Sequence, residues 1–234
     1  MTPAEIYAVL EATWPAAHVT RQGAWTIREG QGGGQRVSAA TANGPGDIAQ
    51  AEAAMMALGQ MPLFMIREGD EALDAALGAR GYALHDPVVV YAAPVAALAD
   101  PPPSPMTAFA LWPPLNIAVQ LWADAGMDAG RMAVMDRGAS PKTSLLGRIN
   151  DRAAGVAFVA CHGTFAMLHA LEVVPNLRRQ GTARNILRVA AVWAQDQGAK
   201  MLCLAVTKAN ANACALYASL GMVVVGTYHY RKKP

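Results

Sequence analysis

The stretch LHALEVVPNLRRQGTA, residues 168–183, predicts the central strand, turn and helix of this chain. An apolar strand is broken at Pro175, and a basic turn containing Gly181 leads into a helix. The helix is indicated by apolar residues at 3.6-residue spacing: Ala183, Ile186, Leu187, Ala190, Trp193 and Ala194. The first N–H groups of a helix are unpaired and lie at the positive end of its dipole. With Arg178 and Arg179 at its entry, the turn is therefore a candidate site for a phosphate or pyrophosphate.

Composition indicates a compact globular protein. Hydrophobic residues make up 53% of the chain and charged residues 15%, and the net charge of +2 is too small to suggest a nucleic-acid or membrane partner. Cys161, Cys203 and Cys214 are unevenly spaced, so we expect buried thiols in a reducing compartment, with no disulfide framework and no metal site. An export signal and a bilayer-spanning apolar run are both missing from the sequence. We therefore expect a cytoplasmic protein.

The run DPPPSP, residues 100–105, is the strongest linker in the chain. Because proline is stiff and cannot donate a backbone hydrogen bond, the run predicts an extended connection. We place a domain boundary there, between an N-terminal domain at 1–99 and a C-terminal domain at 106–234. Each half contains a helix followed by a glycine, a large residue and a strand, at Gly81-Tyr82 and at Gly221-Met222, as a duplicated unit would.

A glycine run, GQGGG at residues 30–34, is a second candidate loop for phosphate binding. It joins a strand predicted at 25–28 to another predicted at 36–41, whereas phosphate loops join a strand to a helix. We therefore interpret the run as a flexible hairpin turn.

Two motifs in the C-terminal half resemble those of the GNAT-type N-acetyltransferases. Arg178, Gly181 and Ala183 have the spacing of the family's Arg/Gln-x-x-Gly-x-Gly/Ala signature and follow a strand that ends in Val-Val-Pro. The segment NANACALYASLGM, residues 210–222, is similar to the family's Asn-x-x-Ala-x-x-Leu-Tyr-x-x-Leu-Gly-Phe, with Met in place of Phe. The resemblance covers about residues 165–222.

The resemblance implies an α/β (α+β) fold. It implies two GNAT-like domains, each with a mixed, mostly antiparallel central sheet flanked by helices, and a splayed strand pair in the C-terminal domain. The N-terminal half has no phosphate-turn motif, so the whole chain resembles tandem GNAT proteins with a degenerate N-terminal domain and an intact C-terminal one.

Acetyl-CoA (coenzyme A) is the cofactor that the resemblance implies. The residues that would contact it are Leu171, Val173, Arg178, Arg179, Gln180, Gly181, Thr182, Ala183, Asn210 and Tyr217. The strand residues would offer their backbone to the pantetheine arm, and the turn would hold the pyrophosphate. Thr182 either bonds phosphate through its hydroxyl or is simply a first-turn helix residue, and Asn210 suits both a helix N-cap and a contact to the cofactor.

Acetyl transfer to an amine needs a base for the amine and an acid for the leaving thiolate. Glu172 is the candidate base, because strand alternation places it with Leu168 and Ala170 as a lone carboxylate on an apolar face, where burial would raise its pKa. The other interpretation of Glu172 is a solvent-exposed or ion-paired carboxylate. His169 alternates onto the opposite face with Leu171 and is expected to be a satisfied core or cleft-edge histidine.

Tyr217 is the candidate acid, since the resemblance places its phenol near the cofactor sulfur. It also lies on an apolar helix stripe with Ala213, Leu216 and Leu220, which is the typical place of a core residue.

The sequence thus predicts an acetyl-CoA-dependent N-acetyltransferase that acts on a primary amine of a small molecule, peptide or protein. Direct transfer in a ternary complex is favoured over a ping-pong route, because Cys203 has no adjacent basic residue to activate it as a covalent carrier. The alternative is a non-catalytic acyl-CoA-binding or sensing module. The acceptor is not identified by the sequence, and the chain is expected to be a monomer or homodimer.

Overall fold

The computed structural model describes residues 1–233. Within this range the α-helices are α1 (Pro3–Thr13), α2 (Ile48–Ala57), α3 (Glu71–Ala79), α4 (Val95–Ala99), α5 (Asn116–Asp124), α6 (Ala129–Arg137), α7 (Thr182–Asp196) and α8 (Ala211–Ser219). The strands are β1 (His18–Gln22), β2 (Trp25–Glu29), β3 (Thr41–Ala42), β4 (Leu63–Arg67), β5 (Ala83–Pro94), β6 (Ala108–Leu111), β7 (Lys142–Ile149), β8 (Arg152–His162), β9 (Phe165–Val173), β10 (Met201–Thr207) and β11 (Val223–Lys232). Short 3-10 turns occupy Gln35–Val37 and Pro175–Leu177.

The strands form two sheets. A small sheet has the order β1-β2-β3, and an eight-stranded sheet has the order β4-β11-β5-β10-β9-β8-β7-β6. Within the large sheet the β9–β10 pair is parallel and the other neighbouring pairs are antiparallel. Helices flank this sheet, so the expected mixed, mostly antiparallel architecture is confirmed.

The large sheet contains an exchange of strands that the sequence did not predict. The units β4–α3–β5 and β10–α8–β11 are the two copies of the repeat seen in the sequence. Each unit pairs its last strand with the first strand of the other, because β11 lies beside β4 and β5 lies beside β10. The last strands of the two units, β5 and β11, also pair with each other, between β4 and β10. The exposed linker at 100–105 therefore divides the chain without dividing the sheet, and the two-domain division stays a prediction.

Helix α7 covers one face of the large sheet close to β7 and β8. Four residues of the predicted stripe are buried, namely Ile186, Leu187, Ala190 and Ala194, and Ala191 is buried beside them. The other two, Ala183 and Trp193, are partly buried. Two glycines beneath it allow the close approach, since a Cβ at Gly147 would lie 2.8 Å from Ile186 Cδ1 and a Cβ at Gly155 would lie 3.1 Å from Thr182 Cγ2. Helices α1, α5 and α6 cover the opposite face. Glycines in the strands beneath larger residues of α7 thus let the N-terminus of the helix lie directly over the sheet.

The segment after the glycine run differs from the prediction. Residues 36–41 were expected to form a strand, but the chain makes a 3-10 turn there, and β3 contributes two residues. The reason is tertiary: Gln35 bonds His85 and Asp86, and Arg36 bonds groups on two strands of the large sheet. These contacts override local strand propensity. By contrast, the strand predicted at 25–28 is observed as β2 within one residue of its predicted limits.

No helix within residues 1–233 combines the length and the apolar character needed to cross a membrane.

Candidate functional site

The basic turn before α7 is exposed and its backbone amides are unpaired. Arg179 has a φ of 63° and Gly181 a φ of 88°, so the chain reverses sharply before the helix begins. No side chain caps α7. Among the described residues, the backbone amides of residues 179–184 donate no hydrogen bond. Unpaired N–H groups at a helix N-terminus beside two arginines are an arrangement that suits an anion, and anion binding at this turn stays a prediction.

Thr182 and Ala183 lie just inside this turn. Thr182 is 2% exposed, and its hydroxyl is buried without a hydrogen-bond partner among residues 1–233. Its methyl group lies against the space left by Gly147 and Gly155. The Thr182 side chain is thus directed toward the sheet, as expected of a first-turn helix residue, and its backbone amide is the group best placed to serve the turn.

Strands β9 and β10 separate next to the turn. They pair over only four residues, from Phe165 opposite Met201 to Leu168 opposite Leu204. Beyond that point β9 stays with β8 and β10 stays with β5. The edges that carry Leu171 and Val173 therefore face a gap, which is the splayed pair that the resemblance implied. The Arg178 Nε donates to the Val173 carbonyl at 3.1 Å, so the turn and the gap are adjoining parts of one site.

A bulge in β9 changes the predicted direction of Glu172. Phe158 pairs with His169, and Val156 pairs with Glu172. An advance of two residues along β8 is therefore matched by an advance of three residues along β9. Within this bulge Ala170 has a φ of 51°. Leu171 consequently packs in the α7-side core, and Glu172 lies with His169 in a cavity on the other face. The predicted alternation, which placed Glu172 with Leu168 and opposite His169, is wrong because one extra residue shifts the strand period.

The cavity has a volume of about 290 Å³ and lies on the α1 side of the gap. Its walls come from both halves of the chain and include Trp14, Gly33, Gly34, Gln35, Arg36, Asp86, Met127, Arg131, His169, Ala170, Glu172, Ala205, Val206, Thr207, Tyr228 and Tyr230. The β9 and β10 residues in this set lie where those two strands no longer pair with each other. The cavity therefore adjoins the gap, and a group held in the gap is accessible from it.

Glu172 is half-buried, and burial raises the pKa of its carboxyl. Arg178 and Arg131 act in the opposite direction but do not outweigh burial. A carboxylate with a raised pKa that faces a cavity is chemically suited to accept a proton near neutral pH.

Tyr217 lies on the α7 side of the sheet and is 6% exposed. Its ring centroid is 5.6 Å from that of Tyr91, which β5 supplies. Burial raises the pKa of the Tyr217 phenol, and the Cys214 thiol and the Glu172 carboxylate add to this increase. The phenol therefore stays protonated at neutral pH. Asn210 caps α8 by accepting a hydrogen bond from the Ala213 amide at 3.1 Å, as the sequence predicted.

His169 is buried in a chain of hydrogen bonds. The Thr13 hydroxyl donates to the Val9 carbonyl, so it accepts from His169 Nε2 at 2.8 Å. The other ring nitrogen, Nδ1, then accepts from Arg36 Nη1 at 3.3 Å. Burial holds the pKa of His169 well below its usual range, with Arg36 as a second cause, so the ring is neutral. This matches the expected satisfied histidine at the edge of a cleft.

Sequence reasoning missed Arg36 as a lining residue. The only local signal was a basic residue soon after a glycine run, and its partners are far away in sequence. Tyr228 and Tyr230 line the cavity, while the intervening His229 turns away to bond Asp74.

Comparison with known proteins identifies the C-terminal part of the chain. Residues 109–222 match the family model described as Acetyltransferase (GNAT) family. The "Uncharacterized N-acetyltransferase YobR" of Bacillus subtilis (strain 168) is 33% identical over 66 residues, which cover 28% of this chain and 27% of that protein. The match thus spans about a quarter of the relative's length.

Solved structures share the fold over nearly the whole chain. A GCN5-related N-acetyltransferase from Kribbella flavida has a TM-score of 0.73 at 18% identity, covering 99% of this chain and 95% of that one. A functionally unknown conserved protein from Staphylococcus epidermidis ATCC 12228 has a TM-score of 0.72 at 13% identity, with coverages of 100% and 97%. A tandem GNAT protein from the clavulanic acid biosynthesis pathway has a TM-score of 0.57 at 12% identity, with coverages of 94% and 85%. Residues 109–222 are therefore identified as a GNAT-family acetyltransferase domain within this chain.

Proposed function

We propose that this protein is an acetyl-CoA-dependent N-acetyltransferase that acetylates a primary amine by direct transfer in a ternary complex. Members of the GNAT family use acetyl-CoA. The observation that carries the proposal is the meeting of three features at one place: the uncapped start of α7, the gap between β9 and β10, and a cavity that holds Glu172.

The residues present fit acetyl-CoA. The unpaired amides of residues 179–184, with Arg178 and Arg179, suit its pyrophosphate, and the free strand edges at Leu171 and Val173 suit the amides of its pantetheine arm. Arg178 would release the Val173 carbonyl to make that edge available. Ala183 has a small side chain in the first turn of α7. Asn210 lies at the start of α8, and Tyr217 lies on the buried face of that helix. When bound, the cofactor supplies an acetyl group activated as a thioester.

Two side chains would carry the proton transfers. Glu172 accepts a proton from the acceptor's ammonium group, directly or through a water molecule, and so prepares the amine for attack. Tyr217 donates its phenolic proton to the thiolate that leaves. They lie on opposite faces of the large sheet, with Glu172 on the cavity side, where the amine would enter, and Tyr217 on the α7 side.

Direct transfer is supported by the state of the two buried cysteines. Burial raises the pKa of Cys203 to about 12 and that of Cys161 to about 11, so neither is a reactive thiolate at neutral pH. The experiment is to follow CoA release from acetyl-CoA with a panel of primary amines and to vary both substrates. Amine-dependent release with intersecting initial-rate lines is expected. Parallel lines would refute direct transfer, and cofactor binding without release for any amine would favour the non-catalytic binding module.

A further inference from the structure

Arg36 stands on the 3-10 turn that follows the glycine run, on the cavity wall supplied by the N-terminal half. The turn is held against α6 by close contacts. A Cβ at Gly33 would lie 2.5 Å from Val134 Cγ2, and a Cβ at Gly130 would lie 2.6 Å from the Gly32 carbonyl carbon. Glycine at these positions lets the loop sit tightly on the C-terminal half. Arg36 is thereby fixed in place rather than carried on a loose hairpin.

The protein partners of the Arg36 guanidinium are neutral. Its Nε donates to the Tyr228 hydroxyl at 3.2 Å, and its Nη1 donates to the neutral His169 ring. The Tyr230 hydroxyl is a further neutral partner of the guanidinium. Within residues 1–233, no carboxylate is within salt-bridge distance of Arg36. By contrast, Arg28, Arg67 and Arg231 each pair with a carboxylate.

A guanidinium charge inside a cavity is unfavourable when no negative charge lies next to it, and binding of an anion would remove this cost. The planar donors of the guanidinium match the two oxygens of a carboxylate. The same cavity carries carboxylates of its own at Glu172 and Asp86. One site therefore offers a cation for an acidic group and carboxylates for an ammonium group, which is the pattern that a zwitterion requires.

We propose that the acceptor is a small amine that also carries a carboxylate, such as a free amino acid, and that Arg36 binds this carboxylate while the amine faces Glu172. The assignment rests on the proposed acetyl transfer and names its acceptor class. The cavity's volume of about 290 Å³ is at the lower end for ligand sites and suits a small molecule. His169 and Glu172 are close along β9, so the two ends of such a molecule lie within one recess.

The test compares acids with their amides. CoA release is measured with common α-amino acids and short ω-amino acids, each beside its primary carboxamide, which keeps the amine and removes the negative charge. The wild-type protein is expected to favour one or more acids over their amides by roughly 10²-fold in kcat/KM. Arg36→Gln is expected to remove most of this preference by slowing the acids, and Arg36→Lys, which keeps the charge without the planar fork, is expected to be intermediate.

The control variant is Arg21→Gln, which removes an exposed arginine of β1 that does not line the cavity and is expected to keep the preference for acids. Acetyl-CoA affinity and the melting temperature of each variant establish that the protein is folded. The assignment would be overturned if amides were turned over as fast as acids, if only neutral amines were turned over, or if no acid was turned over. It would also be overturned if Arg36→Gln slowed acids and amides equally, because that result indicates a purely structural role for Arg36. Failure of the wild-type protein to bind acetyl-CoA would instead refute the proposed function itself.

Discussion

Glu172 and Tyr217 lie on opposite faces of the large sheet, and burial raises the pKa of both groups, which suits them to different tasks. The raised pKa of Glu172 makes it a better proton acceptor than an exposed carboxylate, although a larger fraction of it is protonated at mildly acidic pH. The raised pKa of Tyr217 keeps its proton available. The roles proposed for these residues make separate predictions at the scale of single side chains.

Glu172→Gln is expected to lower kcat/KM at neutral pH by about 10²-fold or more, because the base is lost. A base works only when deprotonated, so the wild-type kcat/KM should fall as pH decreases through the raised pKa of Glu172. This acidic limb should be missing from the variant. The exposed Glu68→Gln is the matched control and should leave the pH profile unchanged. An acidic limb that persists unaltered in Glu172→Gln would assign the base to another group.

Tyr217→Phe is expected to lower kcat by about 10²-fold while changing the acetyl-CoA dissociation constant little, because only the proton donor is removed. Steady-state rates and calorimetric binding separate the two effects. Tyr7→Phe is the control, since the Tyr7 hydroxyl makes one 3.3 Å bond to the Thr227 carbonyl, away from the gap. Full activity of Tyr217→Phe would leave Tyr217 as an ordinary core residue.

Helix α7 and the bulge in β9 show what sequence patterns can and cannot predict at the scale of elements. The helix was predicted because its 3.6-residue stripe is a local property of the chain. The bulge was not, because Ala170 adopts its positive φ only through packing with β8 and the cavity, and one inserted residue reverses every later side chain. The predicted turn residues were therefore found together, whereas the face of Glu172 was wrong and Arg36 was missed.

The approach of α7 to the sheet can be tested through the glycines beneath it. A Cβ at Gly155 would lie 2.8 Å from the Glu172 carbonyl oxygen, and backbone cannot easily move away. Gly155→Ala is therefore expected to reduce the free energy of unfolding by about 1–3 kcal/mol. Gly78→Ala, in an exposed part of α3 with its nearest neighbour at 3.8 Å, should instead increase it by about 0.5–1 kcal/mol. Chemical denaturation measures both, and an unchanged stability of Gly155→Ala would contradict this packing.

At the scale of the whole molecule, the exchange of β5 and β11 makes one sheet from two repeats. The duplicated pattern was visible in the sequence, but pairing between strands that are distant along the chain was not, because it depends on tertiary geometry. The exchange has a functional consequence: β5 supplies Tyr91 beside Tyr217, and the N-terminal half supplies one wall of the cavity. The N-terminal half is thus part of the candidate site.

Residues 106–234 produced alone are expected to aggregate or remain unfolded, because β10 and β11 would lose β5 and expose unpaired edges. Co-production with residues 1–105 should restore a soluble complex. Size-exclusion chromatography and thermal melting of both preparations test this. A soluble, cooperatively melting 106–234 fragment that binds acetyl-CoA would contradict the dependence on β5.

The most direct test of the central claim is calorimetric titration with acetyl-CoA of the wild-type protein, Gly181→Glu and Gly163→Glu. Both glycines lie in exposed turns with positive φ and open space around them, so backbone strain is matched, and only Gly181 lies at the start of α7. Saturable binding by the wild type and by Gly163→Glu, with loss in Gly181→Glu, is the predicted result, because the new carboxylate repels the pyrophosphate. Undiminished binding by Gly181→Glu, or no binding by the wild type, would contradict the claim that this turn holds the cofactor.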